Sequence, residues 1–519
     1  MSVPANPSKH QPHREVVISK SSYLRNIQCP KLLWHFVNTP DLFPEPEASQ
    51  EAVFNQAAEV RLLARRLFAS GIEPTRGSRD FDYLTQSTFS VLSLRKPVFA
   101  GAFAACGARC RVDVLTPSGR SGWDIVEIKS TTSTKDIHLH DLAFQAWVLA
   151  KAGLAINKIF LMHINPDYVL AGEVDPQCFF TKIDVTTQVS QLTSDVGANL
   201  SAMQKIIRRT EPPEIKIGSR CDDPYPCPLH ESCWSFLPEE NVLDLYRGRE
   251  KGFKLLSRGI YRLAEIPYCY RLTGNQQIQR KVAVTNQPYL NKVRVKSFLQ
   301  QLCYPIHFLD FETVWPAIPL FDGVRPYQQV PFQFSLHILD SEGAQPQHHM
   351  FLAKGRSDPR PLLMERLRGS IADNGSIVAF NASFEKARLK ECCKSLPEFG
   401  PWVAGLENRF VDLLTPFRSF HYYHPKQWGS ASMKAVLPVL TGKSYDDLAI
   451  HEGGMASSEF IRVTYNDVDE KERQHVRRQL EQYCGQDTEG MIWIVESLRN
   501  LLDATSPSDQ PTEVLMQAR

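Results

Sequence analysis

The stretch PIHFLDFETV at residues 305–314 is a short apolar run that contains two acids, Asp310 and Glu312. Such a run predicts a β-strand, and in a strand residues two apart emerge on the same face. Two crowded carboxylates repel each other unless cations lie between them, and buried carboxylates need compensation. Hard oxygen ligands suit Mg²⁺ or Mn²⁺. The stretch therefore predicts a sheet strand that carries a divalent-metal site.

Further side chains of matching chemistry follow at the boundaries of later predicted elements. Glu385 comes directly after the predicted strand SIVAFN, and Asp487 lies on the final predicted helix, within residues 470–503. Tyr483 precedes Asp487 by about one helical turn, where a phenol can orient an attacking water. Phosphodiester hydrolysis uses two divalent ions held by such carboxylates. An isolated Asp-x-Glu is more often a solvated strand edge, but the apolar setting and the later acids favour a site.

A second set of candidate residues lies on a predicted hairpin nearer the N-terminus. Asp113 lies on its first strand, and Glu127 and Lys129 lie on its second strand, two apart and so on one face. Gln145 lies on the following predicted helix, at residues 138–152. Paired acids can bind one divalent ion, and a neighbouring lysine can hold a phosphate or assist water attack. The pattern alone is weak, but the order strand, strand, helix, strand strengthens it.

Length and composition predict a multidomain soluble protein of mixed α/β class. The chain has 519 residues, of which 43% are hydrophobic and 22% charged, and one core rarely organises so long a chain. We expect strands first, with helices packed around them. The expected segments are a disordered tail, a first α/β domain, a basic helical connector, a second α/β domain and a second disordered tail, at residues 1–15, 16–240, 241–300, 301–505 and 506–519.

The sequence also predicts a cytoplasmic location. No apolar run approaches the roughly 18 to 20 residues of a bilayer span. The N-terminus MSVPANPSKHQPHREV is polar and lacks the apolar stretch of a secretory signal. We therefore expect no membrane partner.

Positive charge is concentrated in one segment, although the net charge of the chain is only +2. Between Arg247 and Lys296 there are twelve Lys and Arg residues against Glu250 and Glu265, a local charge of +10 that leaves −8 for the remainder. This distribution is typical of nucleic-acid binding. Helices with solvated basic faces are an equally simple interpretation. The expected partner is nucleic acid, with DNA favoured over RNA.

The cysteines fall into two groups. In a cytoplasmic protein, thiols serve as core residues or metal ligands more often than as disulfides. Eight scattered cysteines are interpreted as core residues: Cys106, Cys110, Cys178, Cys269, Cys303, Cys392, Cys393 and Cys484. Four others are candidate ligands: Cys29, Cys221, Cys227 and Cys233. Their spacing is wider than the usual zinc pair C-x₂₋₄-C, and iron–sulfur clusters can recruit one thiolate from a distance.

The C-terminal acidic pattern resembles the DEDD exonucleases of the ribonuclease-H-like fold. The resemblance implies a 3′–5′ exonuclease domain of the tyrosine subtype, with Mg²⁺ or Mn²⁺ as cofactor. Glu385 stands where that family usually has Asp, and Asp412 resembles a supporting acid found after the second motif. The matching positions are Asp310 and Glu312 for the first motif, Asn381, Phe384 and Glu385 for the second, and Tyr483 and Asp487 for the third.

The N-terminal pattern resembles the PD-(D/E)XK nuclease core, specifically RecB-like nucleases of the CRISPR-associated exonuclease type. That resemblance implies a restriction-endonuclease-like fold and a [4Fe–4S] cluster on one cysteine before the core and three after it, with zinc as the alternative. Those nucleases often carry a metal-binding His in an early helix, where this chain has Ala57 and Ala58. The matching positions are Asp113, Glu127, Lys129 and Gln145 for the core and Cys29, Cys221, Cys227 and Cys233 for the cluster.

Most of the chain resembles a prokaryotic family of two-part proteins, a RecB-like module followed by this kind of exonuclease domain. The stretches YPIHFLDFETVWPAIPLFDGVRPYQQVPFQFSLH, NASFEKARLK and SASMKAVLPVL carry that resemblance. It implies a metal-dependent nuclease with two sites. Glu385 and the missing His support an alternative: a non-catalytic nucleic-acid-binding subunit of a repair or defence complex.

Overall fold

The computed structural model describes residues 16–45, 48–74 and 77–504. Both predicted disordered tails, at residues 1–15 and 506–519, lie outside the described residues. The chain divides into two compact units. Unit 1 comprises Met1–Phe236 and Pro316–Tyr327, and unit 2 comprises Leu237–Trp315 and Gln328–Arg519. Among the described helices, none has the length and apolar character needed to cross a membrane.

Unit 1 is built around a six-stranded mixed sheet. Its strands are β1 (Ile18–Ser19), β2 (Val98–Ala105), β3 (Ala108–Ser118), β4 (Gly122–Lys129), β5 (Ile156–Ile164) and β6 (Phe180–Asp184). Its helices are α1 (Lys20–Gln28), α2 (Pro30–Asn38), α3 (Ala48–Arg65), α4 (Phe81–Leu92), α5 (Asp136–Lys151), α6 (Pro176–Phe179), α7 (Thr186–Ile207) and α8 (His230–Trp234).

Strand β3 pairs with three other strands of this sheet. It pairs with β1 in parallel and with β2 and β4 in antiparallel orientation. The parallel pair β4–β5 and the antiparallel pair β5–β6 complete the sheet. The predicted order of hairpin, helix and strand is thus present as β3, β4, α5 and β5. Strand β2 was missed because its sequence, VFAGAFAA, is rich in Ala and Gly and lacks a period of two.

Alternating residues of the β3–β4 hairpin fill two cores, one on each face of the sheet. Leu115 and Ile125 pack with side chains of α5 and α7. Val114 and Val126 pack with side chains of α3. Residues 316–327 add to this second core, although they follow β8 of unit 2 in the chain. Helices therefore cover both faces of the sheet.

Unit 2 contains a five-stranded mixed sheet and a two-stranded ribbon. Its strands are β7 (Tyr289–Leu290), β8 (Ile306–Val314), β9 (Val330–Leu339), β10 (Gln347–Leu352), β11 (Ile377–Ala379), β12 (Phe410–Asp412) and β13 (Tyr422–Tyr423). Its helices are α9 (Arg249–Leu256), α10 (Gly274–Thr285), α11 (Lys292–Leu299), α12 (Arg360–Ser370), α13 (Ala382–Ser395), α14 (Gly400–Leu406), α15 (Thr415–Arg418), α16 (Met433–Thr441), α17 (Gly453–Tyr465) and α18 (Glu470–Asp503).

The five-stranded sheet has the order β10-β9-β8-β11-β12, antiparallel up to β8 and parallel beyond it. Leu309 and Phe311 of β8 point into an apolar core shared with α12, α13 and α14. Asp310 and Glu312 consequently point to the opposite face. There α18 packs on β8 and β9, and Gln333 Nε2 donates a hydrogen bond of 2.9 Å to the Leu480 carbonyl. The prediction of a mixed α/β protein is confirmed.

Candidate functional site

Four predicted acids of unit 2 are gathered where β8, α13 and α18 come together. Asp310 and Glu312 project from β8, while Glu385 lies in the first turn of α13. Asp487 projects from the middle of α18. The charges of Asp487, Glu312 and Glu385 all act on Asp310, so the other three carboxylates lie near that residue. Glu312 and Glu385 are buried, Asp310 and Asp487 are half-buried, and none of the four forms a salt bridge with any described residue.

Burial and mutual repulsion dominate the electrostatics of this site. Burial, and then the charges of Asp487, Glu312 and Glu385, raise the pKa of Asp310 well above its usual range. Burial, and then the charge of Asp487, raise the pKa of Glu312 in the same way. Lys434 opposes this effect by lowering the pKa of Glu312 and of Asp487. A cation among these carboxylates would relieve the repulsion.

Glu385 is held by an unusual start of helix α13. Asn381, the residue before the helix, has a left-handed backbone with φ of 82°. Asp412 Oδ1 accepts hydrogen bonds of 3.0 and 3.3 Å from the backbone N–H groups of Asn381 and Ala382, so it fixes the helix start. Burial raises the pKa of Glu385 to about 8, and the charge of Asp412 adds to the shift. Glu385 Oε2 is buried without a hydrogen-bond partner among the described residues.

Two tyrosines bracket Asp487, although the sequence analysis identified only Tyr483. Tyr483 is 6% exposed and hydrogen-bonds to the Asp487 carboxylate. The Tyr445 hydroxyl donates a second hydrogen bond to Asp487 Oδ1. Burial, and then the charge of Asp487, raise the pKa of both phenols, so both remain neutral donors. Tyr445 was missed because it lies in the loop after α16, outside any of the three motifs.

One cysteine interpreted as a core residue belongs to the acidic site. Cys484 is buried, but its Sγ lies 3.7 Å from Asp310 Oδ2 as a hydrogen-bond donor. One ligand atom each from Asp310, Glu312 and Cys484 lie within 4.8 Å of one another, a possible metal-ligand group. Burial raises the pKa of the Cys484 thiol well above its usual value.

The core interpretation was right for some of the remaining cysteines and wrong for others. Cys110 and Cys392 are buried. Four others are exposed, because they lie in turns or at element ends rather than on core-facing positions: Cys106, Cys178, Cys269 and Cys303.

The predicted residues of unit 1 also converge, around Glu127. Lys129 Nζ lies 2.7 Å from Glu127 Oε1, and Gln145 Nε2 donates a hydrogen bond of 2.9 Å to Glu127 Oε2. Asp113 Oδ2 accepts a hydrogen bond of 3.0 Å from the backbone N–H of Ile128. Burial, and then the charge of Glu127, raise the pKa of Asp113 to about 6.

Lys20 and Asp141 complete this second site, and sequence reasoning found neither. Asp141, one turn before Gln145 on α5, lies 2.6 Å from Lys129 Nζ. Lys20, the first residue of α1, lies 2.9 Å from Glu127 Oε1 and 3.4 Å from Asp141 Oδ1. Burial alone would raise the pKa of Glu127, but the two lysines lower it below its usual value. Glu127 and Asp141 are therefore neutralised by lysines of the chain itself, unlike the carboxylates of unit 2.

The four candidate cysteine ligands line a single cavity of unit 1. Cys29 lies between α1 and α2, and Cys221, Cys227 and Cys233 lie in the segment that ends in α8. Burial raises the pKa of Cys227 to about 11, and the charges of the other three sulfurs contribute. Within the described residues, however, no three of these sulfurs lie within 4.8 Å of one another. A compact four-sulfur ligand set is therefore not formed.

The cysteine segment is fastened to the helices that flank Cys29. Gln28 Nε2 donates hydrogen bonds of 3.0 and 2.7 Å to the carbonyls of Arg220 and Tyr225. Trp34 Nε1 donates a hydrogen bond of 3.0 Å to the Arg209 carbonyl. The two ends of unit 1 thus meet at this cavity.

The basic segment predicted as a connector lies within unit 2 and includes α9, α10 and α11. Its Lys and Arg side chains are exposed apart from Lys251 and Arg280, which are half-buried. Tyr268 is 83% exposed, with the Arg280 guanidinium 4.4 Å from its ring centre. This surface is compatible with either interpretation of the charge, a nucleic-acid contact or a solvated face.

Comparison with known proteins gives partial matches. A family model described as a domain of unknown function, DUF2779, matches residues 307–432, which include Asp310, Glu312 and Glu385. An uncharacterized MG366 homolog of Mycoplasma pneumoniae is 28% identical over 220 residues, covering 39% of this chain and 33% of the relative. The uncharacterized protein MG366 of Mycoplasma genitalium is 26% identical over 218 residues, covering 38% and 32%. This chain thus spans about a third of the length of these curated relatives.

One solved structure, titled "Crystal structure of SSO0001", matches 44% of this chain and 90% of its own length at 14% identity, with a TM-score of 0.22. The chain contains a match to a domain of unknown function and, inside that match, most of a possible acidic metal site.

Proposed function

We propose that this protein is a metal-dependent nuclease whose unit 2 hydrolyses phosphodiester bonds from an end of a nucleic acid. The observation that carries the proposal is the convergence of four carboxylates, without a salt-bridged cation, on one site. Such a site costs folding free energy unless positive charge enters it. A protein that retains it gains something other than stability, and metal binding for hydrolysis accounts for all four acids.

Two divalent ions suit these ligands better than a single soft metal. Asp310, Glu312, Glu385 and Asp487 would hold Mg²⁺ or Mn²⁺, since carboxylate oxygens prefer hard cations. When bound, such ions supply Lewis-acid stabilisation of the charge that develops on the phosphate. Tyr483 and Tyr445 hold Asp487 by hydrogen bonds and fix its orientation. Tyr483 is also the residue that would position the attacking water.

The test is release of nucleotides from end-labelled single-stranded DNA, duplex DNA and RNA in the presence of Mn²⁺. Wild type is compared with Asp310→Ala and Asp113→Ala, and with Asp373→Asn as an exposed control in unit 2. We expect Asp310→Ala to lose at least about a hundredfold in rate and Asp373→Asn to retain wild-type activity. Absence of cleavage with retained binding would instead support a non-catalytic nucleic-acid-binding subunit.

For unit 1, two functions remain candidates, and one observation favours the second. The arrangement of Asp113, Glu127, Lys129 and Gln145 is compatible with a second nuclease site. Lys20 and Lys129, however, already neutralise Glu127 and Asp141. This favours a module that binds a strand without cutting it. In the cleavage assay, unchanged activity of Asp113→Ala is the result expected of a binding module.

We also propose that Cys29, Cys221, Cys227 and Cys233 hold a [4Fe–4S] cluster with a structural role, with zinc as the alternative. Four thiols around one cavity suit a ligand set for either group. A single zinc ion with Zn–S bonds of about 2.3 Å needs sulfurs about 3.8 Å apart. The spacing of these cysteines along the chain is wider than that of the usual zinc pair C-x₂₋₄-C, which favours the cluster. Ligation would tie the two ends of unit 1 together.

Iron and zinc analysis of protein purified anaerobically tests this assignment. We expect iron together with visible absorption, and loss of both in Cys227→Ser but not in Cys106→Ser, an exposed cysteine outside the cavity. One zinc ion per chain, without iron, would support the alternative assignment of a zinc site. Colourless protein without either metal would overturn both.

A further inference from the structure

A basic cleft opens beside the acidic site of unit 1. Its volume is about 610 Å³, and its lining includes Lys20 and Asp113 of that site. Glu73 and four arginines from two elements complete its charged lining: Arg61 and Arg65 of α3, and Arg109 and Arg111 of β3. The cleft therefore joins a positively charged surface to the carboxylates around Glu127.

Most of this positive charge is not balanced within the cleft. Arg65 pairs with Glu73 at 3.0 Å, and Lys20 pairs with the carboxylates behind it. Arg61, Arg109 and Arg111, by contrast, form no salt bridge with any described residue. Asp113 is the only other acid among the lining residues. Three arginines thus face one carboxylate.

The two arginines of β3 line the cleft together with Asp113. Arg109 and Arg111 are two residues apart, so their side chains share one face of the strand. Both arginines are exposed, and their Cα atoms lie about 7 Å apart along the strand. This is comparable with the separation of neighbouring phosphates in an extended nucleic-acid strand.

The guanidinium groups are oriented by uncharged partners, which leaves their charge available. The Arg109 guanidinium lies 5.0 Å from the ring centre of Phe81. Arg111 Nε donates a hydrogen bond of 3.3 Å to the Ala100 carbonyl. Arginine binds phosphate in a forked geometry, and phosphate contacts fix the position of a strand without reading its bases.

We propose that this cleft binds the phosphodiester backbone of a nucleic acid, through Arg61, Arg109 and Arg111, without a divalent cation. Lys20 and Lys129 make the cation unnecessary because they neutralise Glu127 and Asp141 at the end of the cleft. The nucleic-acid strand is then held in unit 1 by contacts to its phosphates, which do not depend on the base sequence. The inference rests on the proposed function only in taking nucleic acid as the substrate, since it requires no cleavage in either unit.

Binding of fluorescently labelled 20-nucleotide single-stranded DNA, duplex DNA and RNA in EDTA tests the proposal. All variants carry Asp310→Ala, so that the probe stays intact. We expect the double variant Arg109→Ala/Arg111→Ala to bind at least about tenfold more weakly than its parent. Its log–log salt slope should be shallower by about 1.4 on single strands. The charge-retaining double variant Arg109→Lys/Arg111→Lys should keep most of the affinity.

The matched control is Arg120→Ala, an exposed arginine at the tip of the β3–β4 turn and outside the cleft, which should bind as the parent does. Photo-cross-linking with 4-thiothymidine probes gives an independent readout, with cross-links expected in peptides covering residues 98–118. Equal affinity and slope for the double variant and the control, or cross-links confined to residues 241–300, would overturn the proposal. Lack of Mn²⁺-dependent cleavage by wild type, with this binding intact, would contradict the proposed function alone.

Discussion

The Tyr445 hydroxyl donates a hydrogen bond to Asp487 Oδ1, from a residue 42 positions earlier in the chain. The ring centres of Tyr445 and Tyr483 lie 6.1 Å apart, so the two tyrosines approach the Asp487 carboxylate from neighbouring positions. Burial raises the pKa of Asp487 to about 6, and both phenols oppose that rise. Tyr445 is therefore a positioning residue that helps to keep Asp487 ionised and available to a cation.

Tyr445→Phe should shift the pH dependence of metal binding. Without this donor the pKa of Asp487 rises above about 6, so fewer molecules have it ionised at pH 6–7. We expect the affinity for Mn²⁺ to fall about tenfold at pH 6.5 and much less at pH 8.5, where Asp487 is ionised in both proteins. Titration with Mn²⁺ followed by electron paramagnetic resonance measures this.

Tyr304→Phe is the control for this change, because the Tyr304 hydroxyl accepts a hydrogen bond of 2.8 Å from Arg499 instead of contacting an acid. An equal loss of affinity at both pH values would mean that Tyr445 acts only through packing. An unchanged profile would remove it from the site.

Glu385 should make the metal-free protein less stable as the pH rises. Its pKa is about 8 in the folded protein, raised from 4.5, so between these values the folded state binds more protons than the unfolded state. The free energy of unfolding then falls with rising pH, by up to about 1.4 kcal/mol per pH unit for this group. Thermal unfolding in EDTA from pH 5 to 8.5 should show a falling Tm.

Glu385→Gln should flatten that pH dependence. At pH 8.5 its Tm should lie a few degrees above that of wild type, because each kcal/mol of stability shifts the Tm by about 2–4 °C. Glu365→Gln, on the exposed face of α12, should follow wild type. Mn²⁺ should restore the stability of wild type at pH 8.5 and do less for Glu385→Gln. A Tm of Glu385→Gln that parallels wild type across the range would exclude Glu385 as the titrating group.

Short-range periodicity was enough to predict the elements that carry the acids. The strand at Asp310 and Glu312 alternates between core and site, and helix α18 was expected within the residues it occupies. The two-residue spacing in the strand and the order of the elements also predicted that Glu127, Lys129 and Gln145 lie together, and they contact one another in the structure. The mixed α/β class followed from the same patterns.

Three of the missed residues reach their sites through contacts that local patterns do not contain. Lys20 reaches Glu127 across 107 residues, and Tyr445 reaches Asp487 across 42. Cys484 is buried as expected of a core cysteine, and only the packing of α18 on β8 sets it against Asp310. Such contacts depend on tertiary structure, which a single sequence does not reveal.

Cys484 should make the acidic site of unit 2 sensitive to soft metals. Its sulfur and the oxygens of Asp310 and Glu312 offer a mixed ligand group, and zinc accepts sulfur and oxygen ligands together. We expect micromolar Zn²⁺ to inhibit the Mn²⁺-dependent cleavage of wild type. Cys484→Ala should retain cleavage and become several-fold less sensitive to Zn²⁺. Cys392→Ala, a buried cysteine of the opposite core, is the control, and equal inhibition of all three proteins would exclude Cys484 as a ligand.

Lys20→Met should destabilise unit 1 and at the same time make its stability depend on a bound cation. Glu127 and Asp141 have side chains exposed by only 2% and 1%, so loss of one of their two lysines leaves buried negative charge. We expect the free energy of unfolding to fall by about 2–3 kcal/mol in EDTA, somewhat less than for a completely unpaired buried charge because Lys129 remains. Lys158→Met, which breaks the exposed pair with Asp184, should cost at most about 1 kcal/mol.

The decisive measurement is thermal unfolding of both variants in an Asp310→Ala background, with EDTA and with Mn²⁺. If Lys20 stands in for a metal ion, Mn²⁺ should recover more of the lost stability in Lys20→Met than in the Lys158→Met control. If Lys20→Met is destabilised and its Tm does not change with Mn²⁺, then Glu127, Asp141 and Asp113 do not form a cation-binding site. Binding of nucleic acid by unit 1 would then depend on the arginines of the cleft alone.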